Sequence, residues 1–112
     1  MKTVHYMAAQ GDLLIIKTDN IPAGLKPAKE ENGKHILAHS ETGHHHVIDS
    51  RSAQLLIDET NEFLSYLSVS EDADVVHERD FDTHETLRVP RGDYEIRRQR
   101  EHTPEGFRLA TD

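Results

Sequence analysis

Ala53-Gln54-Leu55-Leu56-Ile57-Asp58-Glu59-Thr60-Asn61-Glu62-Phe63-Leu64-Ser65-Tyr66-Leu67-Ser68-Val69 is the stretch on which the fold class turns. Read at helical period, Leu55, Leu56, Ile57, Phe63, Leu64, Tyr66 and Leu67 form a broad apolar stripe with Ser52 as N-cap. Read as strands, Asp58-Glu59-Thr60-Asn61 is a turn between two short apolar runs. The polar gap is compact and each run is short, which favours the hairpin.

The flanking sequence repeats that pattern. Upstream, Asp12-Leu13-Leu14-Ile15-Ile16-Lys17 is a short apolar run of the kind buried on both faces of a strand. Gly11 precedes it, and the turn formers of Asp19–Gly24 follow. A loop with Pro27 and mixed charges covers Leu25 to Asn32. His35-Ile36-Leu37-Ala38-His39 and His44-His45-His46-Val47-Ile48, joined through Glu41-Thr42-Gly43, read as a second hairpin. Downstream of the acidic connector Ser70–Asp74, Val75-Val76-His77 and His84 to Val89 read as strands. Pro90-Arg91-Gly92-Asp93 supplies a tight turn, and Tyr94-Glu95-Ile96-Arg97 alternates as a half-buried strand does. Thr103-Pro104-Glu105-Gly106 marks a last turn before Phe107-Arg108-Leu109. There is no internal repeat. The expectation is an all-β fold: a small single-domain barrel or sandwich spanning residues 1–112, built from short antiparallel strands and hairpins.

Composition narrows the function classes. At 112 residues with 35% apolar side chains, no Trp and three each of Phe and Tyr, the core is thin, and a partner subunit or bound ion would add stability. The absence of Cys excludes disulfides and thiolate metal sites. No apolar run approaches the roughly 20 residues of a membrane span. Met1–His5 lacks the apolar stretch of a signal peptide, so a cytoplasmic location is expected. The net charge of −8 makes nucleic acid an improbable partner. Arg88, Arg91, Arg97, Arg98 and Arg100 do crowd one segment, but Asp93, Glu95 and Glu101 are interleaved with them, the pattern of a solvated strand with cross-strand ion pairs.

The nine histidines carry the functional signal. In a strand, His44 and His46 share a face while His45 points away, so two imidazoles lie within reach of one divalent ion. His77 and His84 are the candidate further ligands from a neighbouring strand pair. Seven residues apart on one continuous strand they would face opposite ways, so convergence requires a turn through Arg79–Asp82. Three neutral imidazoles would leave a coordination position for water and generate hydroxide near neutral pH. Glu78, or Glu85, is placed by sequence to act as general base or carboxylate ligand. Zinc is the default ion; iron or manganese would suit a set of two His and one carboxylate. His5, His35, His39 and His102 read as hydrated surface side chains. A cluster of imidazoles titrating near their usual pKa would also give a pH-sensitive face. The metalloprotease helix motif is excluded, since Phe81 and Arg88 stand where the second His would be. There is likewise no G-x-S-x-G elbow, phosphate loop or Cys nucleophile.

Two resemblances follow from these residues. His44-x-His46 in a β context is similar to the H-x-H strand motif of cupins, metal-binding jelly rolls, although Asp49 is the nearest acid downstream and Pro90-x-Gly92 is not followed by His. Over nearly the whole chain, Gln10-Gly11-Asp12, Thr42-Gly43-His44-x-His46-x-Ile48, His77, His84, Pro90-x-Gly92-x-Tyr94 and Gln99-Arg100-Glu101-x-Thr103-Pro104 resemble a set of small bacterial and phage β-rich proteins with no established activity. The interval between His77 and His84 is longer here than in those relatives. Two function classes are therefore carried forward. One is a metal-binding domain, with metal-dependent hydrolysis as its chemistry. The other is a non-catalytic interaction module, a homo-oligomer or protein-partner subunit using its edge strands.

Overall fold

Alternation of apolar and polar side chains organises this chain into paired short strands. The computed structural model describes residues 1–38, 45–61, 63–78 and 85–98, and the backbone of 100–103 and 106–109. The strands are β1 (Lys2–Thr3), β2 (Met7–Gln10), β3 (Leu13–Thr18), β4 (Lys26–Pro27), β5 (Lys34–Ala38), β6 (His46–Asp49) and β7 (Ala53–Ile57). They continue with β8 (Leu64–Val69), β9 (Ala73–His77), β10 (Leu87–Val89), β11 (Gly92–Arg98), β12 (Arg100–Thr103) and β13 (Gly106–Leu109). No helix occurs among the described residues.

One sheet has the order β1-β10-β9-β6-β5 and the other β2-β3-β11-β8-β7-β4, with β12 and β13 forming a separate ribbon. Only β1 with β10 is parallel; the other described strand pairs are antiparallel. The two sheets do not join edge to edge, so the architecture is a sandwich and not a closed barrel.

The core lies between the inner faces. From the six-stranded sheet come Ala8, Leu13, Ile15, Ala53, Leu55, Leu67, Val69, Tyr94 and Ile96; from the other come Leu37, Ile48, Ala73, Val75, Leu87 and Val89. The stretch 53–69 is the hairpin: Ala53 faces Val69 and Ile57 faces Ser65. Its loop is built from side-chain-to-backbone bonds. Asp58 Oδ1 accepts from the Thr60 amide at 2.9 Å and its hydroxyl at 2.6 Å, and Asn61 Oδ1 accepts from the Phe63 amide at 3.1 Å. Such bonds compete with helix formation and favour a turn.

Two expectations change. Leu13 and Ile15 of β3 are fully buried, but Leu14 and Ile16 are only partly covered, because a sandwich strand has one outer face. The loop read from Leu25 to Asn32 contains β4 and ends in a tight hairpin turn. Asn32 and Gly33 have φ of 54° and 77°, and Glu31 and Lys34 exchange backbone bonds at 2.8 and 3.1 Å. Two consecutive positive φ values at an Asn-Gly pair define the type I′ turn that matches strand twist.

Candidate functional site

Strand ends from both sheets meet at one end of the sandwich. His46 opens β6 and His77 closes β9, and the antiparallel register sets them directly opposite. Both belong to the inward alternation, His46 with Ile48 and His77 with Val75, so both rings are buried. Their ring centroids are 4.2 Å apart with planes 2° from parallel, an offset stack across the strand pair.

The third participant comes from the opposite sheet. Gln10 ends β2 on the same inward alternation as Ala8 and is only 2% exposed. Its amide nitrogen donates to Val75 O at 3.0 Å and to Glu85 O at 2.9 Å. Both acceptors are backbone carbonyls, which fixes the amide orientation: the nitrogen faces them and Oε1 faces away. That oxygen lies 2.7 Å from His46 Nδ1. Since Oε1 can only accept, His46 Nδ1 carries the proton and donates, and in the neutral ring Nε2 holds the lone pair. Three contacts thus decide the tautomer without reference to hydrogen positions.

Nε2 in turn faces a carboxylate, with Asp12 Oδ1 at 3.8 Å. Gln10 and Asp12 flank Gly11, whose φ of 61° turns the chain between β2 and β3 in two residues. Positive φ at the first turn position with negative φ at the second fits a II′ hairpin, for which Gly is the default. The Gln10-Gly11-Asp12 string is therefore a device that aims one side chain at each nitrogen of His46.

The sequence-derived candidates distribute as follows. His46 and His77 are brought together. His44 and His84 lie outside the described residues. Glu78 follows His77 just past the end of β9 and falls on the outer face, where its Oε2 meets Lys34 Nζ at 3.1 Å and its amide donates to His45 O at 2.8 Å. Glu85 pairs through its carboxylate with the N-terminal ammonium at 2.9 Å and contributes only its carbonyl to Gln10. Among the described residues no group of three or more His, Asp or Glu side chains is placed to hold a metal ion. His35, read as hydrated, is instead 5% exposed. It occupies an inward position of β5 opposite Ile48, and its Nδ1 has no hydrogen-bond partner. His5 is exposed, as expected.

Gln10 and Asp12 were legible in sequence only as part of the resemblance string. The local signal was a polar residue on the buried alternation of a strand immediately before a glycine. No helix among the described residues is long and apolar enough to cross a membrane.

The family model for a domain of unknown function (DUF8820) matches residues 9–99, and the chain belongs to that family. The matched span includes Gln10-Gly11-Asp12, His46 and His77 and ends before β12. No curated protein and no solved structure matches the chain.

Proposed function

We propose that this member of the DUF8820 family binds a divalent metal ion at the end of the sandwich where His46 and His77 meet, with zinc as the default ion. The observation that carries the reading is the Gln10 contact. A buried imidazole whose Nδ1–H is held by a fixed acceptor and whose Nε2 lone pair faces a carboxylate has the orientation that metal-ligating histidines are given by their outer partners. His77, stacked against it, is the second ligand after a rotation of the rings that turns the two lone pairs toward one point. His44, two residues before His46 in the H-x-H string, and His84 are the further ligands, and Asp12 is the carboxylate within reach. A water on such an ion would be acidified toward neutrality, the chemistry of metal-dependent hydrolysis. With Asp12 in place of a third imidazole the set suits iron or manganese. Glu78, held by Lys34 on the outer face, is left as a positioning contact for the strand that carries His77.

Elemental analysis of protein purified without a histidine tag tests this reading. About one zinc, iron or manganese per chain is expected, with loss of the metal in His46→Ala and His77→Ala. Protein that is empty as purified and takes up no ion in a titration sinks it.

A second reading, an interaction module, has its own observation. Tyr6 and Met7 are 73% and 54% exposed at the edge strand β2, and an unpaired edge with apolar side chains is a template for another chain. Sedimentation of wild type against Met7→Lys distinguishes it: a concentration-dependent dimer abolished by the lysine supports the module, and a monomer in both removes this support.

A further inference from the structure

Arg98 differs from Arg88 and Arg97, which are paired with carboxylates, and from Arg91, which is exposed. Arg88 Nε lies 2.7 Å from Asp74 Oδ1 across the β10–β9 pair, and Arg97 donates to Glu95 at 3.1 Å on the outer face of β11. Arg98 shares the inward face of β11 with Tyr94 and Ile96. No carboxylate pairs with it among the described residues, and its Nε is buried without a hydrogen-bond partner. The guanidinium instead sits 5.9 Å from the Phe63 ring centroid, a cation–π contact that orients the planar fork without satisfying its hydrogen bonds.

The space it faces is a cavity of about 400 Å³ between the sheets, walled by Leu37, Ala38, Leu55, Phe63 and Leu64. That volume lies in the range of small-molecule sites. Of the acidic groups at its rim, Asp58 is occupied by Thr60 and Glu59 by Lys26 at 2.9 Å, and Glu31 forms no ion pair with Arg98, so none of the three neutralises it. Two of its lining residues lie toward the histidine end of the sandwich, where Ala38 pairs with His46 and Arg98 with Leu13.

We propose that this cavity binds a small organic carboxylate, its head paired with the Arg98 guanidinium and its apolar body against Leu37, Leu55 and Leu64. A buried guanidinium N–H without an acceptor is costly, and a carboxylate supplies a bidentate, charge-assisted acceptor in matching geometry. An apolar wall of Leu37, Leu55 and Leu64 facing a guanidinium, with Lys29 adding positive charge at the rim, suits an amphiphilic anion over a bare ion. The proposal stands apart from the metal reading and is tested on metal-free protein.

Calorimetric titration of chelator-stripped protein with hexanoate and benzoate, beside the neutral hexanamide and benzamide, is the experiment. Saturable binding of the carboxylates is expected, with the amides weaker by roughly tenfold or more, the factor that one charge-assisted pair represents. Arg98→Met is expected to lose the preference for carboxylates. Arg98→Lys, which keeps charge and fold but not the fork, is expected to bind them several-fold more weakly. Arg97→Gln, altered on the outer face, is expected to match wild type. Equal binding of acids and amides, no binding of either, or carboxylate affinity unchanged in both Arg98 variants overturns the proposal. Inorganic phosphate binding as tightly as hexanoate overturns its apolar half.

Discussion

Replacing Gln10 by leucine removes three hydrogen bonds with little change in volume. The Val75 and Glu85 carbonyls each lose a donor, and His46 Nδ1–H loses its acceptor, all at a residue 2% exposed. At about 1 kcal/mol net per bond the loss is about 3 kcal/mol. Partners left buried raise it, and the better transfer of leucine out of water offsets about 1 kcal/mol. The expected destabilisation is therefore about 2–3 kcal/mol, which for a chain of this size lowers Tm by roughly 10 °C. Urea denaturation followed by far-ultraviolet circular dichroism reads the stability, and ¹⁵N-detected NMR of the imidazoles reads the tautomer. In wild type His46 should carry its proton on Nδ1; in Gln10→Leu that preference should fade. Gln10→Glu keeps an acceptor for His46 but sets a buried carboxylate against two carbonyls, so it should be less stable than the leucine variant at pH 7. A leucine variant within about 0.5 kcal/mol of wild type, the scatter of a neutral substitution, with His46 still protonated on Nδ1, would refute the assignment of Gln10 as the residue that sets His46.

Gly33→Ala places a Cβ in open space but at a φ of 77°. It should cost about 1 kcal/mol in chemical denaturation, from backbone strain alone. Tyr94 donates to Pro90 O at 2.7 Å, and burial, with the Asp72 charge adding, raises its phenol pKa. A raised folded pKa gives stability that is whole below the unfolded pKa near 10 and is lost as pH rises through the folded one. Wild type should therefore lose stability above about pH 10 more steeply than Tyr94→Phe, which should itself be about 1 kcal/mol less stable at pH 7. Asp49 is held at a pKa of about 2, first by the Arg51 side-chain hydrogen bond and then by the Arg51 amide. Its contribution is present above the ordinary carboxylate range and is lost as pH falls through that depressed value. In Arg51→Ala an NMR titration should show the midpoint rising, while stability at pH 7 stays within error because the pair lies at the solvated surface.

Period-two alternation made most of the fold legible. Tyr94 and Ile96 point inward as their spacing requires, and the short runs on either side of Asp58–Asn61 pair as strands. The Asn32-Gly33 turn was equally available, since Asn-Gly between alternating segments is a strong hairpin signal; the proline and charges upstream hid it. The site was harder to read because its logic is non-local. His46 and His77 meet through a register that no local spacing encodes. Gln10 meets His46 across the sandwich, from a strand 36 residues away in the chain. Glu78 shows the limit of adjacency: standing next to His77, just past the end of β9, it turns to the outer face and pairs with Lys34. The inward turn of Arg98 was also encoded, by its step of two from Ile96, but the flanking basic residues made it look like part of a solvated face.

The order in which strands are made differs from the order in which they are used. The chain lays down β1 in one sheet, β2 to β4 in the other, returns for β5 and β6, crosses again for β7 and β8, and again for β9 and β10. The last of the core strands, β11, then enters the middle of the six-stranded sheet, between β3 and β8. During synthesis, β3 and β8 must wait with exposed edges for a strand that the ribosome has yet to deliver. The six-stranded sheet cannot be finished until β11 is made, so its completion is a late event dominated by distant pairings, the class of topology that folds slowly. In chains halted before Gly92 the six-stranded sheet would carry a vacant central slot, which another copy of β11 could fill.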